Sequence, residues 1–167
     1  LTAMQAMLKD GHVKRFLVLA PKRVAVSVWP VEQPKWAPGV TLAVAVGTPK
    51  QRAAAFASSA QVVVTNYENL PTGTFDAVVF DELTRLKNPS GARFKALTKA
   101  LKCSIRWGLT GSFTSNGLED VFGQCKIIDQ KLLGRSKGAW PHRWPARRTY
   151  RQPRRARLWA CLRRPGW

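Results

Sequence analysis

Apolar residues fall in two patterns along this chain: short unbroken runs, and positions spaced by three and four. The unbroken runs lie at about 16–20, 41–46, 61–65, 76–80 and 104–109. Apolar runs without polar alternation predict strands covered on both faces, as in a parallel sheet. The segments between them suit helices. Leu1, Met4, Met7 and Leu8 have the spacing of a helix's buried face. Gln51 to Ala57 reads as a helix with Pro49 in its first turn. Ser90 is placed to cap a helix with Phe94, Leu97 and Leu101 on one face and Lys95, Lys99 and Lys102 turned outward. Leu118 to Ile128 predicts a last helix carrying Val121, Phe122 and Cys125 inward, and Pro30, Pro34 and Pro38 predict a short or kinked helix after the first strand. This alternation predicts an α/β fold over residues 12–130: a mostly parallel five-stranded sheet with helices on both faces. No internal repeat is present.

The chemistry concentrates where two of these strands end. Ala77-Val78-Val79-Phe80 runs into Asp81-Glu82, and Ile105, Trp107 and Leu109 lead into Thr110-Gly111-Ser112. Carboxylates at the carboxyl edge of a parallel strand face the crevice where open α/β sheets bind ligands. One acid can hold Mg²⁺ through water while its neighbour orients or deprotonates an attacking water. Alone, an Asp-Glu pair is equally well a buried strand reaching solvent. Thr110 and Ser112 alone can be turn formers, and Thr65-Asn66 a strand end with a local turn.

The longer strings separate these readings. Asp81-Glu82-Leu83-Thr84-Arg85-Leu86-Lys87-Asn88 and Gly108-Leu109-Thr110-Gly111-Ser112-Phe113-Thr114-Ser115-Asn116-Gly117 resemble the second and third motifs of superfamily-two helicases, in particular the Swi/Snf-type branch and its phage-encoded members. Ala20-Pro21-Lys22-Arg23 is similar to motif Ia of that family and Thr65-Asn66-Tyr67-Glu68-Asn69 to motif Ib. The resemblance covers residues 1 to about 138 and implies a RecA-like three-layer lobe. It implies ATP and Mg²⁺ in the intact enzyme, with Asp81 on the metal through water and Glu82 polarising water. Thr84, Thr110, Gly111 and Ser112 would then couple nucleotide state to nucleic-acid binding. Pro21, Arg23, Thr65 and Asn66 would lie along a nucleic-acid backbone, DNA more than RNA, without reading sequence.

Departures from the pattern matter too. The 167 residues contain no Gly-x-x-x-x-Gly-Lys-Ser/Thr loop to cradle phosphates. The expectation is therefore a lobe beginning just downstream of its P-loop, binding no nucleotide tightly by itself, whose P-loop segment or second lobe is supplied separately. Leu83-Thr84 stands where the branch has a small residue and then a His or similar polar group, so the polar link to motif III falls to Thr84. Phe113 replaces the usual Pro after the third motif and leaves that turn less rigid.

Composition sharpens the picture at one end. The formal charge is +19, yet residues 139–167 hold nine Arg, four Trp, four Pro and no acid. The remaining residues hold nineteen Lys plus Arg against nine Asp plus Glu. The tail reads either as an arginine arm with Trp stacking on bases or, better, as a basic, irregular C-terminal segment produced in a shifted frame. A proline-broken, like-charged run buries too little surface to offset its ordering entropy. Cys103, Cys125 and Cys161 form no Cys-x-x-Cys pair, so neither a zinc site nor a disulfide framework is indicated. No apolar run approaches the roughly twenty residues of a membrane span, and no signal-peptide pattern opens the chain. The expected location is the cytoplasm of a bacterial host. The sequence thus predicts a lobe at 1–138 from an ATP-dependent DNA helicase or translocase, inactive alone. The alternatives are a non-catalytic basic nucleic-acid-binding module and a nonfunctional, pseudogene-like product.

Overall fold

Side chains on a strand point alternately to its two faces, and here both sets are apolar. In the computed structural model, which describes residues 1–112, 118–129 and 131–132, the first strand β1 (Phe16–Ala20) is buried throughout. Phe16, Val18 and Ala20 enter one core; Leu17 and Leu19 enter the other. The strands β2 (Leu42–Ala45), β3 (Val62–Asn66), β4 (Ala77–Asp81) and β5 (Ile105–Leu109) complete a sheet in the order β2-β3-β1-β4-β5, every pair parallel. The five strands thus fall within a residue of the predicted runs.

Helices α1 (Thr2–Lys9), α2 (Lys22–Ser27) and α3 (Trp29–Trp36) supply Met4, Ala25 and Trp29 to the first core. Helices α4 (Pro49–Ala57), α5 (Ala92–Ala100) and α6 (Leu118–Ile128) cover the opposite face with Phe56, Phe94, Leu97 and Ile127. Each of the larger aliphatic and phenylalanine side chains, fully buried, contributes about 1.5–3 kcal/mol, so the two faces together supply the hydrophobic drive of the fold. Sequence order places the prolines of α3 where they are tolerated or felt: Pro30 in the first turn and Pro34 inside a helix of 8 residues. α4 carries a capping box, Thr48 Oγ1 accepting from Gln51 N–H while the Gln51 side chain returns to Thr48.

Two local expectations are corrected. Ser90 does not cap α5, whose N-cap is Gly91 without a side-chain bond. Asn88 Oδ1 instead accepts the Ser90 backbone N–H at 3.0 Å, a local turn that leaves Ser90 outside the helix. In α6 the deeply buried residues include Gln124 and Ile127, whereas Cys125 is only half-buried. The segment 139–167 and Phe113 lie outside the described residues.

Candidate active site

A parallel sheet sends every strand's carboxyl end to the same side. Register then decides which ends meet. Ala20 lies opposite Asn66, Leu19 opposite Phe80, and Asp81 opposite Leu109. Pro21, Asn66, Asp81 and Thr110 therefore share one edge although they come from four separate stretches of sequence.

Asp81 is half-buried at the end of β4 and is held from two directions. Its Oδ2 accepts the Trp29 indole N–H at 2.9 Å, and its backbone carbonyl accepts the Tyr67 hydroxyl at 2.8 Å. Burial raises the Asp81 pKa and the neighbouring Glu82 charge adds to this, while the Trp29 bond and the Glu82 backbone N–H oppose it. Burial likewise pushes the Tyr67 hydroxyl up, reinforced by Asp81.

Glu82 has φ 60 and ψ 64, the single non-glycine residue with positive φ among the described residues. Such a conformation costs on the order of 1–3 kcal/mol and persists only where the surroundings impose it. They do so here. The following 3₁₀ turn, Leu83–Leu86, is pinned by buried Leu83 and Leu86. Gly123 of α6 approaches so closely that a Cβ there would strike the Lys87 carbonyl. The Glu82 Oε1 in turn accepts the Thr84 hydroxyl at 2.6 Å and the Thr110 hydroxyl at 3.4 Å. The link expected of Thr84 toward the Thr-Gly-Ser turn is thus made through the Glu82 carboxylate, which both hydroxyls share.

Leu83, unusual in size at its position, also finds its physical account. A Cβ at Gly108 would collide with Leu83 Cδ2 and crowd Ile128. The bulk of Leu83 after the acid pair fits because position 108 in the middle of β5 carries no side chain.

The other predicted site residues are distributed unevenly. Ser112 and Gly111 lie exposed past β5, and Ser112 joins the corner through its backbone N–H, which donates to Thr110 Oγ1 at 3.1 Å. Pro21 is the half-buried N-cap of α2 and Arg23 is exposed on it. Thr65 is fully buried, its hydroxyl donating to the Ala45 carbonyl at 2.7 Å. It braces β2 against β3 and presents no free hydroxyl at the surface. The Asn66 amide donates to Glu68 Oε2 at 2.6 Å, and Glu68 meets Arg93 at 3.1 Å and Arg85 at 4.0 Å. Burial would raise the Glu68 carboxyl, but Asn66, its own backbone N–H and the two arginines outweigh this and hold it low.

A cleft of about 270 Å³ opens beside Asp81, walled by Leu1, Val28, Trp29, Glu32, Trp36 and Leu109. The donors at the Asp81–Glu82 corner are all oxygens, from two carboxylates and two threonines. No cluster of three His, Cys, Asp or Glu occurs among the described residues. This set fits Mg²⁺, which is held by one or two carboxylates together with waters and phosphates. The half-buried Asp81, whose charged form is disfavoured by burial, is where a cation gains most.

Trp29 and Tyr67 were not singled out by sequence reasoning. The available signal was general: an indole or phenol on a buried helix or strand end needs a polar partner. No helix among the described residues is long and apolar enough to cross a membrane.

A family model of the SNF2-related domain matches residues 1–158, a span that includes the first part of the arginine-rich segment. The chain is 39% identical over 163 residues to "Putative protein p41" of Acyrthosiphon pisum secondary endosymbiont phage 1, covering 86% of this chain and 35% of that protein. It is 36% identical over 67 residues to DNA excision repair protein ERCC-6-like 2 of Mus musculus, covering 40% of this chain and 4% of that protein. Its fold is similar to the Sulfolobus solfataricus SWI2/SNF2 ATPase core in complex with dsDNA, with TM-score 0.71, 26% identity, and coverage of 83% of this chain and 30% of that one. For the core domain of the same organism the TM-score is 0.61 at 25% identity, covering 84% and 29%. The chain therefore spans about a third or less of the relatives it matches.

Proposed function

This chain belongs to the SNF2-related domain family, and from that premise we propose that it is the first RecA-like lobe of an ATP-dependent DNA translocase. The observation that carries this reading is the shared Glu82 carboxylate: one strained acid, beside a half-buried aspartate, linked by hydroxyls to the turn that ends the next strand. Asp81 would hold Mg²⁺ through water, and Glu82 would orient and accept a proton from the water that attacks the terminal phosphoryl group. Mg²⁺, when bound, neutralises charge on the phosphates during transfer. Thr84 and Thr110 fix the Glu82 carboxylate and so relate its position to the Thr110–Ser112 turn. Pro21, Arg23 and Asn66 are offered as the backbone-facing side of a duplex, a reading supported by the exposed Arg23 and by a structural relative described in complex with dsDNA. Thr65 supports that edge from within the sheet.

The 167-residue chain alone should hydrolyse ATP negligibly. A phosphate-cradling loop contributes several charge-assisted bonds of about 1.5–3 kcal/mol each, and an arginine finger is worth about 10³–10⁵ in rate. The decisive experiment grafts residues 1–132 into the corresponding part of the Sulfolobus ATPase core and measures DNA-stimulated hydrolysis. Activity abolished by Glu82→Gln is expected. A folded chimera that binds duplex DNA but hydrolyses no ATP would favour the non-catalytic binding module.

A further inference from the structure

Asp81 is gripped from both faces of the sheet by two aromatic side chains, neither belonging to its own strand. Trp29 opens α3 and sits in the core on one face; Tyr67 follows β3 and sits in the core on the other. Both are nearly fully buried, at 7% and 2% exposure. The Tyr67 hydroxyl reaches its 2.8 Å bond to the Asp81 carbonyl across β1, which lies between β3 and β4. A buried indole or phenol must find an acceptor, and most would take a nearby backbone carbonyl. Trp29 spends its one donor on the carboxylate instead, a charge-assisted bond of 2.9 Å that occupies one acceptor site of Asp81 and orients the rest.

We infer that Trp29 and Tyr67 are positioning residues for the cation-binding acid, Trp29 through the carboxylate and Tyr67 through the backbone beneath it. Trp29 also walls the cleft beside Asp81, so it senses whatever enters there. Trp29 lies one short helix beyond Pro21, and Tyr67 directly follows Asn66. The two segments proposed to face nucleic acid are thereby each connected to Asp81 by a single hydrogen bond. This inference rests on the reading of Asp81 as the metal-facing acid, and the test keeps the two apart.

The probe is Mn²⁺, added to the ¹⁵N-labelled chain while paramagnetic broadening of the amides of residues 81–84 and 110 is followed. Asp81→Asn should weaken the titration. Trp29→Phe, which keeps an aromatic ring and deletes the donor, should raise the half-saturating Mn²⁺ concentration by about 10-fold or more, the usual effect of losing an outer partner of a metal ligand. Tyr67→Phe should raise it less, by a few fold, because it acts only through the backbone. Dispersed spectra of both variants would separate positioning from unfolding. If Asp81→Asn weakens binding while both aromatic variants titrate like the parent chain, the positioning role is wrong and the reading of Asp81 stands. If Asp81→Asn itself titrates like the parent chain, that reading fails and the inference falls with it. Should Trp29→Phe not fold, the parent indole supplies the second measurement: Asp81→Ala should shift the Trp29 indole resonance and speed its exchange. An indole indifferent to Asp81→Ala would overturn the proposal.

Discussion

The two edges of this one sheet use similar charged residues to opposite ends. At the amino edge, Arg15 donates to the carbonyls of Phe56, Ser58 and Ala60 and lies 4.9 Å over the Phe75 ring. Asp76 accepts the backbone N–H groups of Lys14 and Arg15. Arg106, near the start of β5, serves the carbonyls of Leu101, Cys103 and Ile127, beside the ends of α5 and α6. These bonds satisfy backbone groups at helix ends and in the short loops that lead into β1, β3 and β5. At the carboxyl edge the acids bond mainly to side chains, the Glu82 backbone is strained, and burial raises the Asp81 pKa. Charge that completes the backbone stabilises; charge held by other side chains at a strained turn is available for chemistry.

The largest expected effect tests the amino edge. Arg15→Ala strands three carbonyls and removes the contact with Phe75, and should cost about 4 kcal/mol, given about 1.5–3 kcal/mol per bond to a charged group and partial rehydration. Denaturant unfolding measures it, and a loss under about 1 kcal/mol would break the contrast between the edges.

Next comes the packing beneath the acids. Leu83→Ala should cost about 3 kcal/mol as a core truncation and Gly108→Ala about 2 kcal/mol as overpacking. The double variant should cost clearly less than the sum, with a coupling of about 1–2 kcal/mol in a double-mutant cycle. Strict additivity would mean that the two residues do not share the space the structure gives them.

A smaller effect sharpens the contrast from the carboxyl side. Thr110→Ala removes the long bond to Glu82 and the exposed bond from the Ser112 N–H, and should change stability by only about 1 kcal/mol. In the chimeric ATPase it should nevertheless lower DNA-stimulated hydrolysis at least several fold. Equal losses in stability and rate would make Thr110 a structural residue like Arg15.

The smallest effect has the opposite sign. Because burial raises the Asp81 pKa above its ordinary 3.8, the native state keeps, between the unfolded and folded pKa values, a proton that the unfolded chain has released. Its contribution to stability therefore falls as pH rises from the unfolded value through the folded one, and the cost is fully present only above the folded value. Asp81→Asn, whose amide oxygen can still accept from Trp29, should remove this cost and raise the melting temperature at pH 7. The gain, about 2–4 °C per kcal/mol relieved, should vanish toward pH 3. A variant less stable than the parent at pH 7 would show that the charge is well solvated after all.

The sequence by itself determined the sheet, because unbroken apolar runs, each flanked by helical spacing, leave few arrangements other than a parallel sheet covered on both faces. It also determined that Asp81 and Thr110 would share an edge, since parallel strands end on one side. It misjudged the cap of α5, where Asn88 and Ser90 are equally able to bond a backbone N–H and only the local turn chooses between them. It did not reveal that Thr65 points into the sheet, since a hydroxyl at a strand end looks the same whether it meets solvent or the Ala45 carbonyl. Nor could it show that Leu83 is matched to Gly108, that Glu82 is shared by two threonines, or that Trp29 reaches Asp81 from 52 positions away. Local pattern fixes which face of an element is apolar. Which donor meets which acceptor across the sheet depends on register and helix docking, and those are settled only when the distant segments pack together.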